Sequence, residues 1–317
     1  MERRSPLLLL GPAQVEAALG SIVPNARLVS HALLTSGRSN TNYALETDQG
    51  RFVLRAHVRD HALGAKEQGI YRLLRQRVPL APVLGTRPAG EVLEQAFSLL
   101  GFVEGHSLAE VVHSGVAARL STAGRTLGRA LAELSRCRFE NAGDLVGSPD
   151  GQSLTIQPWP FEDFDRETLF DSPASARLGP LRDELWQTLH QARRRYPDMA
   201  AIQMVHGDLN PTNLLFDEQG QLAAMLDWEF AHAGRPSLDF GNLLRERPEL
   251  SLPEVFIRAL VDALRDEAVE LPAHWRKLAL LTDLGSALEF LSSPDDRPQT
   301  HAAALTQIKS TIARLKA

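Results

Sequence analysis

The pattern of hydrophobic and polar positions changes period part-way along the chain. Near the start, short apolar runs alternate with polar residues. Arg27 to Leu34 and Asn42 to Thr47 read as strands, Asp48-Gln49-Gly50 as a turn, and Arg51 to Val58 as a third strand. Ser36-Gly37-Arg38-Ser39 is predicted to form the turn between the first two. From Ala62 to Gln76 the period lengthens. Leu63, Glu67, Ile70 and Leu74 follow at intervals of four, three and four, which places them on one face of a helix that Pro79 and Pro82 end. Further strands are predicted at Val83 to Thr86 and at Glu91 to Val103, the latter bent or interrupted.

From Ser107 onward the period is mainly helical. Helices are predicted over Val116 to Arg136, over Leu178 to Tyr196, and near 237–246, 253–266, 274–292 and 298–316. A short island of strand and loop interrupts them at 204–227. Residues 140–175, rich in Gly, Pro, Ser and Asp, predict an insertion or long loop. The whole predicts an α+β chain in two lobes. Residues 1–104 would form a small antiparallel β-sheet with one helix, and residues 105–317 a larger, mainly helical lobe. A cleft between two lobes is a usual place for a ligand.

Composition narrows the function. Of 317 residues, 44% are hydrophobic and 23% charged, which fits a packed globular protein and excludes wholesale disorder. The net charge of -5 and a pI of about 6.1 carry no electrostatic footprint for nucleic acid. The largest basic run, Arg193-Arg194-Arg195, ends a predicted helix, where cations suit the dipole. Cys137 is the single cysteine, which excludes an intramolecular disulfide and a cysteine-rich zinc site. Its neighbours Leu131, Leu134 and Phe139 predict a buried structural thiol. Met1 to Gly11 begins like a signal peptide, with two arginines and then Leu7 to Leu10, but the apolar run is too short and Pro12 follows. No stretch is long and apolar enough to span a membrane. A cytoplasmic protein without membrane or nucleic-acid partners is expected, and nothing in the sequence sets its oligomeric state.

The chemistry concentrates in Val205-His206-Gly207-Asp208-Leu209-Asn210-Pro211-Thr212-Asn213-Leu214-Leu215-Phe216 and in Ala224-Met225-Leu226-Asp227-Trp228-Glu229. Phosphoryl transfer needs a carboxylate to orient the attacking hydroxyl, hard oxygen ligands for Mg²⁺, and cationic or backbone donors for phosphate. Asp208 can be the hydroxyl-orienting carboxylate. Asn213 offers an amide oxygen and Asp227 a carboxylate to the metal. The apolar runs on either side of Asp217 to Gly220 predict a hairpin that returns Asp227 to Asn213.

This spacing matches the protein-kinase pattern, with Gly207 in place of its Arg and Asp-Trp-Glu in place of its Asp-Phe-Gly. Residues 206–241, with Gly234, Pro236 and Asp239 completing a Gly-x-Pro-x-x-Asp segment, resemble the aminoglycoside phosphotransferase and choline kinase-like family, whose fold is protein kinase-like. The resemblance implies a magnesium-dependent kinase that moves the γ-phosphoryl group of ATP or GTP to a small-molecule hydroxyl. Asp208 would be the catalytic base and Asn213 and Asp227 the magnesium ligands. His206 would support the loop, and Asp239 would either brace it or be a first-turn acidic residue behind a Ser237 N-cap.

In the resembled fold, a cation on the third strand anchors phosphate and a helix glutamate holds it. Arg55 and Glu67 occupy those positions. Arg55 stands where the family commonly has Lys, and Arg differs in being a planar fork. Glu67 lies on the apolar face of its helix, where a carboxylate wants a cationic partner. Ser36 and Ser39 lie in the nucleotide-loop position. That loop has one Gly and so is no glycine-rich phosphate loop, but its polar side chains and N–H groups could cover phosphates. Leu99 to Gly105 resembles the lobe-connecting hinge.

The acceptor is less legible. Trp159 and Glu162, in Trp159-Pro160-Phe161-Glu162-Asp163-Phe164-Asp165, combine aromatic faces with carboxylates, which suits a cationic ligand such as an amino alcohol or aminoglycoside. Asp283 and Glu289 are a second candidate lining. Glu229 could touch substrate, support the metal or make a structural ion pair. The alternatives are a non-catalytic nucleotide-binding module of the same fold and a kinase of another metabolite such as homoserine or a sugar. A protein kinase is disfavoured because only eleven residues separate Asp227 from Asp239, too few for a peptide-docking segment.

Overall fold

The computed structural model describes residues 7–34, 40–58, 60–159, 164–247, 250–294 and 297–316. Helix α1 (Pro12–Ile22) leads into strands β1 (Leu28–Leu34), β2 (Thr41–Thr47) and β3 (Gly50–Ala56). Helix α2 (Leu63–Leu74) precedes β4 (Val83–Arg87) and β5 (Phe97–Gly101). The five strands form one antiparallel sheet in the order β1-β2-β3-β5-β4. Strand alternation gives this sheet two different faces. Tyr43, Leu45, Leu54, Phe97 and Leu99 pack with Val15, Ala18 and Leu19 of α1. On the opposite face Asn42, Arg55 and Ser98 stand side by side across three strands.

Two features of this region differ from the sequence expectation. Helix α1 is an addition to the one expected helix. It starts with Pro12 in its first turn, where the missing N–H loses nothing. The approach to it is held by Tyr43, whose Oη accepts from Leu10 N (2.8 Å) and donates to the Leu8 carbonyl (2.7 Å). Of the expected strand at 91–103, only Phe97–Gly101 is strand. A turn closed by Gly90 N to the Leu93 carbonyl (2.8 Å), with Gly90 at φ +82, takes up the residues before it.

Beyond the sheet come β6 (His106–Ser107), α3 (Leu108–Ser114), α4 (Ala117–Arg136), β7 (Gly143–Gly147) and β8 (Leu154–Pro158). Next are α5 (Phe164–Phe170), α6 (Pro173–Leu178), α7 (Leu181–Arg195), β9 (Gln203–Val205), β10 (Leu214–Phe216), β11 (Leu222–Met225) and β12 (His232–Gly234). The chain ends in α8 (Ser237–Leu244), α9 (Glu254–Asp266), α10 (Trp275–Ser292) and α11 (Pro298–Lys316). Two small sheets, β11-β10-β6 and β8-β7-β12-β9, are set among these helices. Helices α4 and α9 cross at close range because Gly124 and Gly128 have no side chain. A Cβ at Gly124 would lie 2.2 Å from the Phe256 carbonyl oxygen. Cys137 follows α4, partly buried against the larger core, and burial pushes its thiol up.

The stretch 140–175 is not the long loop that its composition suggested. It contains the β7–β8 hairpin and helices α5 and α6. The hairpin lies directly against the backbone of α2. A Cβ at Gly147 would fall 2.4 Å from the Ala65 carbonyl carbon, and one at Gly69 would fall 2.8 Å from Leu154 Cδ2. Gly147 lets the strand meet the helix backbone directly, and Gly69 makes room for the Leu154 side chain. Among the described residues, no helix is long and apolar enough to cross a membrane.

Candidate active site

The segment 206–213 follows β9 and is held from beneath by α8. Asp239 accepts two main-chain bonds, from His206 N (Oδ2, 2.9 Å) and Gly207 N (Oδ1, 2.9 Å). Removal from water pushes its carboxyl above the ordinary value, while His206 and the two N–H donors hold it back. Asp239 thus braces the loop from the first turn of α8, and Pro236, not Ser237, is the residue at the cap. Asn242, one turn on, donates Nδ2 to the Gly207 carbonyl at 2.9 Å.

His206 is fully buried and ties the loop to the next strand end. Its Nε2 meets the Leu226 carbonyl at 2.8 Å, and its Nδ1 faces Asp208 N at 3.3 Å. A carbonyl only accepts, so Nε2 is the donor to Leu226. Gly207 has φ +80, and a Cβ there would lie 2.2 Å from the Phe230 carbonyl oxygen. Gly207→Ala is expected to lower stability by at least about 2 kcal/mol, from the left-handed backbone plus the clash. Chemical denaturation of purified protein checks this, and an unchanged midpoint would contradict it.

The β10–β11 hairpin carries Asp227 back to Asn213, as the sequence suggested. Leu226 N donates to the Asn213 carbonyl at 2.8 Å, and Leu214 pairs with Met225. Asn213 Nδ2 donates to the Asp208 carbonyl (2.9 Å) and to Asp208 Oδ2 (3.1 Å). With Nδ2 committed, Oδ1 is the end of the amide left to face a cation. Asp227 has φ 64, a left-handed conformation outside glycine, which turns its carboxylate out of the strand line. Removal from water pushes that carboxyl up. Arg55 pulls it down, and the carboxylates of Glu67 and Asp208 push it up again.

Arg55 descends on this group from β3. Its Nη1 bonds to Glu67 Oε1 and lies 3.3 Å from Asp227 Oδ1, and its Nε donates to Asn42 Oδ1 at 3.2 Å. Arg55 and Glu67 are 8% and 5% exposed, so the pair is a buried one. Burial opposes the guanidinium charge, but Glu67, Asp227 and Glu229 outweigh it and hold Arg55 above its ordinary value. Residues from β3, α2 and the 206–227 segment thus meet at one point.

Glu229 is also buried. Its carboxylate accepts from Asn40 Nδ2 (2.8 Å), at the start of β2, and its carbonyl accepts from Lys66 Nζ (2.8 Å). Burial pushes the Lys66 ammonium down, against the pull of Asp144 and Glu229. Trp159 lies against the His232 ring at 4.8 Å, on the strand that pairs with Val205 just before the loop. Ser36, Ser39 and Glu162 lie outside the described residues. Asp283 does not line an open pocket. It is 4% exposed and paired with Arg245 at 2.6 Å, while Glu289 is exposed on α10. Lys66 and Asn242 are not among the residues that the sequence pointed to. Each acts through a partner far away in the chain, and no local pattern marks it.

Among the described residues, no three His, Cys, Asp or Glu side chains converge on a metal position. Magnesium in a phosphoryl-transfer site does not need such a set. It takes one or two protein oxygens and completes its shell with phosphate and water. Asn213 Oδ1 and the Asp227 carboxylate are hard oxygen donors of that kind.

The sequence model of the phosphotransferase enzyme family (APH) matches residues 31–301. The crystal structure of aminoglycoside phosphotransferase APH(4)-Ia is similar with a TM-score of 0.69, at 18% identity, over 97% of this chain and 100% of that one. A thermostable mutant of the same enzyme, in ternary complex with AMP-PNP and hygromycin B, gives a TM-score of 0.69 at 17% identity, over 96% of this chain and 99% of that one. The uncharacterized protein YcbJ of Bacillus subtilis (strain 168) is 25% identical over 186 residues, 54% of this chain and 58% of that protein. The chain thus spans little more than half the length of this curated relative.

Proposed function

The chain belongs to the phosphotransferase enzyme family, and from that premise we propose that it is a magnesium-dependent kinase of a small-molecule hydroxyl compound. The observation that carries the reading is the convergence of Asp208, Asn213 and Asp227 beneath Arg55. Residues 1–104 would take up ATP or GTP, and residues 105–317 would supply the catalytic loop and the acceptor pocket. Arg55, held by Glu67, would grip phosphate oxygens, with Ser36 and Ser39 in the loop above. Asn213 and Asp227 would hold Mg²⁺, which when bound offsets the negative charge of the phosphates.

Asp208 would accept a hydrogen bond from the acceptor hydroxyl, align its oxygen on the γ-phosphorus and take its proton as the new P–O bond forms and the bond from the γ-phosphorus to the β–γ bridging oxygen breaks, releasing ADP or GDP. Its other role is internal. The bond from Asn213 fixes the carboxylate's rotation, so that one oxygen stays toward the incoming hydroxyl. Glu229 is committed to Asn40, which supports a role in fastening the start of β2 over direct contact with the acceptor. Trp159, with Glu162, remains the proposed acceptor side. An aromatic face next to carboxylates suits an amino alcohol or an aminoglycoside-like sugar.

The test is ADP or GDP release by purified protein with Mg²⁺, across a panel of aminoglycosides, amino alcohols and sugars including homoserine. Turnover is expected to depend on one acceptor class and to stop on chelation of the metal. Absence of nucleotide binding would overturn the reading. Binding without turnover on any acceptor would favour the non-catalytic module.

A further inference from the structure

At the second carboxylate oxygen of Glu67, the one that does not meet Arg55, the structure holds a second buried polar chain. Ser98 stands directly opposite Arg55 on the neighbouring strand β5 and is fully buried. Its Oγ lies 3.4 Å from Glu67 Oε2 and 2.8 Å from His57 Nε2. His57 follows β3, two residues after Arg55, and is also fully buried, with Nε2 3.9 Å from Glu67 Oε2. Its Nδ1 is buried without a hydrogen-bond partner among the described residues. The first turn of α2 roofs the group, since a Cβ at Gly64 would sit 3.4 Å from both His57 Nε2 and Ser98 Oγ.

The direction of this chain follows from proton counting. A serine hydroxyl has one proton to give. If it goes to Glu67 Oε2, His57 donates from Nε2, and only the lone pair on Nδ1 is unpaired. The reverse arrangement takes a donor away from a buried carboxylate and leaves an N–H unpaired on Nδ1, which is worse on both counts. Burial lowers the pKa of His57, Glu67 draws it up and Arg55 pushes it down again, which agrees with a neutral ring.

The consequence lies at Arg55. A carboxylate facing a guanidinium tends to take it with both oxygens, as a fork on a fork. Here Arg55 meets Glu67 at Oε1, while Oε2 lies toward Ser98 Oγ at 3.4 Å. A two-oxygen grip would draw the guanidinium toward α2 and away from Asp227. We infer that Ser98, backed by His57, is a positioning residue that limits Glu67 to a one-oxygen grip and keeps the rest of the Arg55 fork turned to the phosphate side of the cleft. The inference rests on the nucleotide reading given above, and it concerns a feature that the longer, forked Arg55 makes necessary where an ammonium would not.

Titration calorimetry with Mg-ADP and Mg-GDP tests it, on variants whose folding is first verified by circular dichroism. Ser98→Ala and His57→Phe are each expected to weaken nucleotide binding about 3- to 10-fold, the scale of one buried hydrogen bond. His57→Gln, which places an N–H donor where Nε2 stood, is expected to recover most of the loss. In a Glu67→Gln background, Ser98→Ala should add nothing, because the two act as one unit. Arg55→Ala is the reference. If it binds nucleotide as the parent does, the nucleotide reading fails and takes the inference with it. If Arg55→Ala is weak while Ser98→Ala binds normally, or adds its full effect in the Glu67→Gln background, the inference alone is overturned.

Discussion

Asp208→Asn is expected to lower kcat by about 10²- to 10⁴-fold, the usual contribution of a positioned general base. Nucleotide affinity should stay within about twofold, because the change removes an interaction made with the hydroxyl and not with the donor. The substitution is close to isosteric. The amide oxygen of the new Asn can still accept from Asn213 Nδ2, now 3.1 Å from Asp208 Oδ2, so the loop keeps its internal bond. The loop's main anchors, Asp239 on His206 N and Gly207 N, are untouched. A loss of turnover with intact binding and an unchanged denaturation midpoint would separate chemistry from folding. Coupled ADP-release kinetics beside calorimetry supply the two numbers. Retained turnover in Asp208→Asn would assign the proton acceptor elsewhere.

Arg55→Ala is expected to act on both stability and binding. Glu67 is 5% exposed, and Arg55 is the cation that meets its Oε1. Removing one partner of a buried pair leaves the other charged and uncompensated, at a cost of about 3–5 kcal/mol. Ser98 still bonds Glu67 Oε2, which favours the lower end of that range. Nucleotide affinity should fall about 10- to 100-fold, the scale of one or two charge-assisted bonds to phosphate. Arg55→Lys keeps the charge but not the fork. It should recover most of the stability while binding nucleotide less tightly than the parent, since Nε to Asn42 and Nη1 to Glu67 and Asp227 are separate contacts that one ammonium does not reproduce. Urea denaturation and nucleotide titration on the three proteins check both parts. A stable, tightly binding Arg55→Ala protein would contradict both.

What could be read early was what is local in the chain. The 204–227 island was legible because its hairpin closes over a few residues, so the apolar runs and the turn between them already place Asp227 beside Asn213. Glu67 was legible because helical periodicity put a carboxylate on an apolar face, and an unpaired carboxylate there would be costly. The β2–β3 hairpin was legible for the same short-range reason. The β7–β8 hairpin was not. Its short apolar runs, Leu145-Val146 and Leu154 to Ile156, are set among the Gly, Ser, Asp and Pro of an ordinary loop, and strand form there depends on pairing with β12 and on contact with α2. Asp283 and Glu289 looked alike in sequence, yet one is buried against Arg245 and the other is exposed. The difference lies in which side of α10 faces the neighbouring helices.

The sequence by itself therefore determined the class of elements, the spacing of Asp208, Asn213 and Asp227, and the family. These rest on periodicity and on offsets of a few residues, which the covalent chain imposes. Only the tertiary structure decided how the groups are held: Asp239 beneath a loop more than thirty residues earlier, Asn40 against Glu229, and Ser98 between His57 and Glu67. Such bonds join residues far apart in the chain. Their geometry is set by strand register and helix packing, and a hydrogen bond that fails by an ångström is no bond at all.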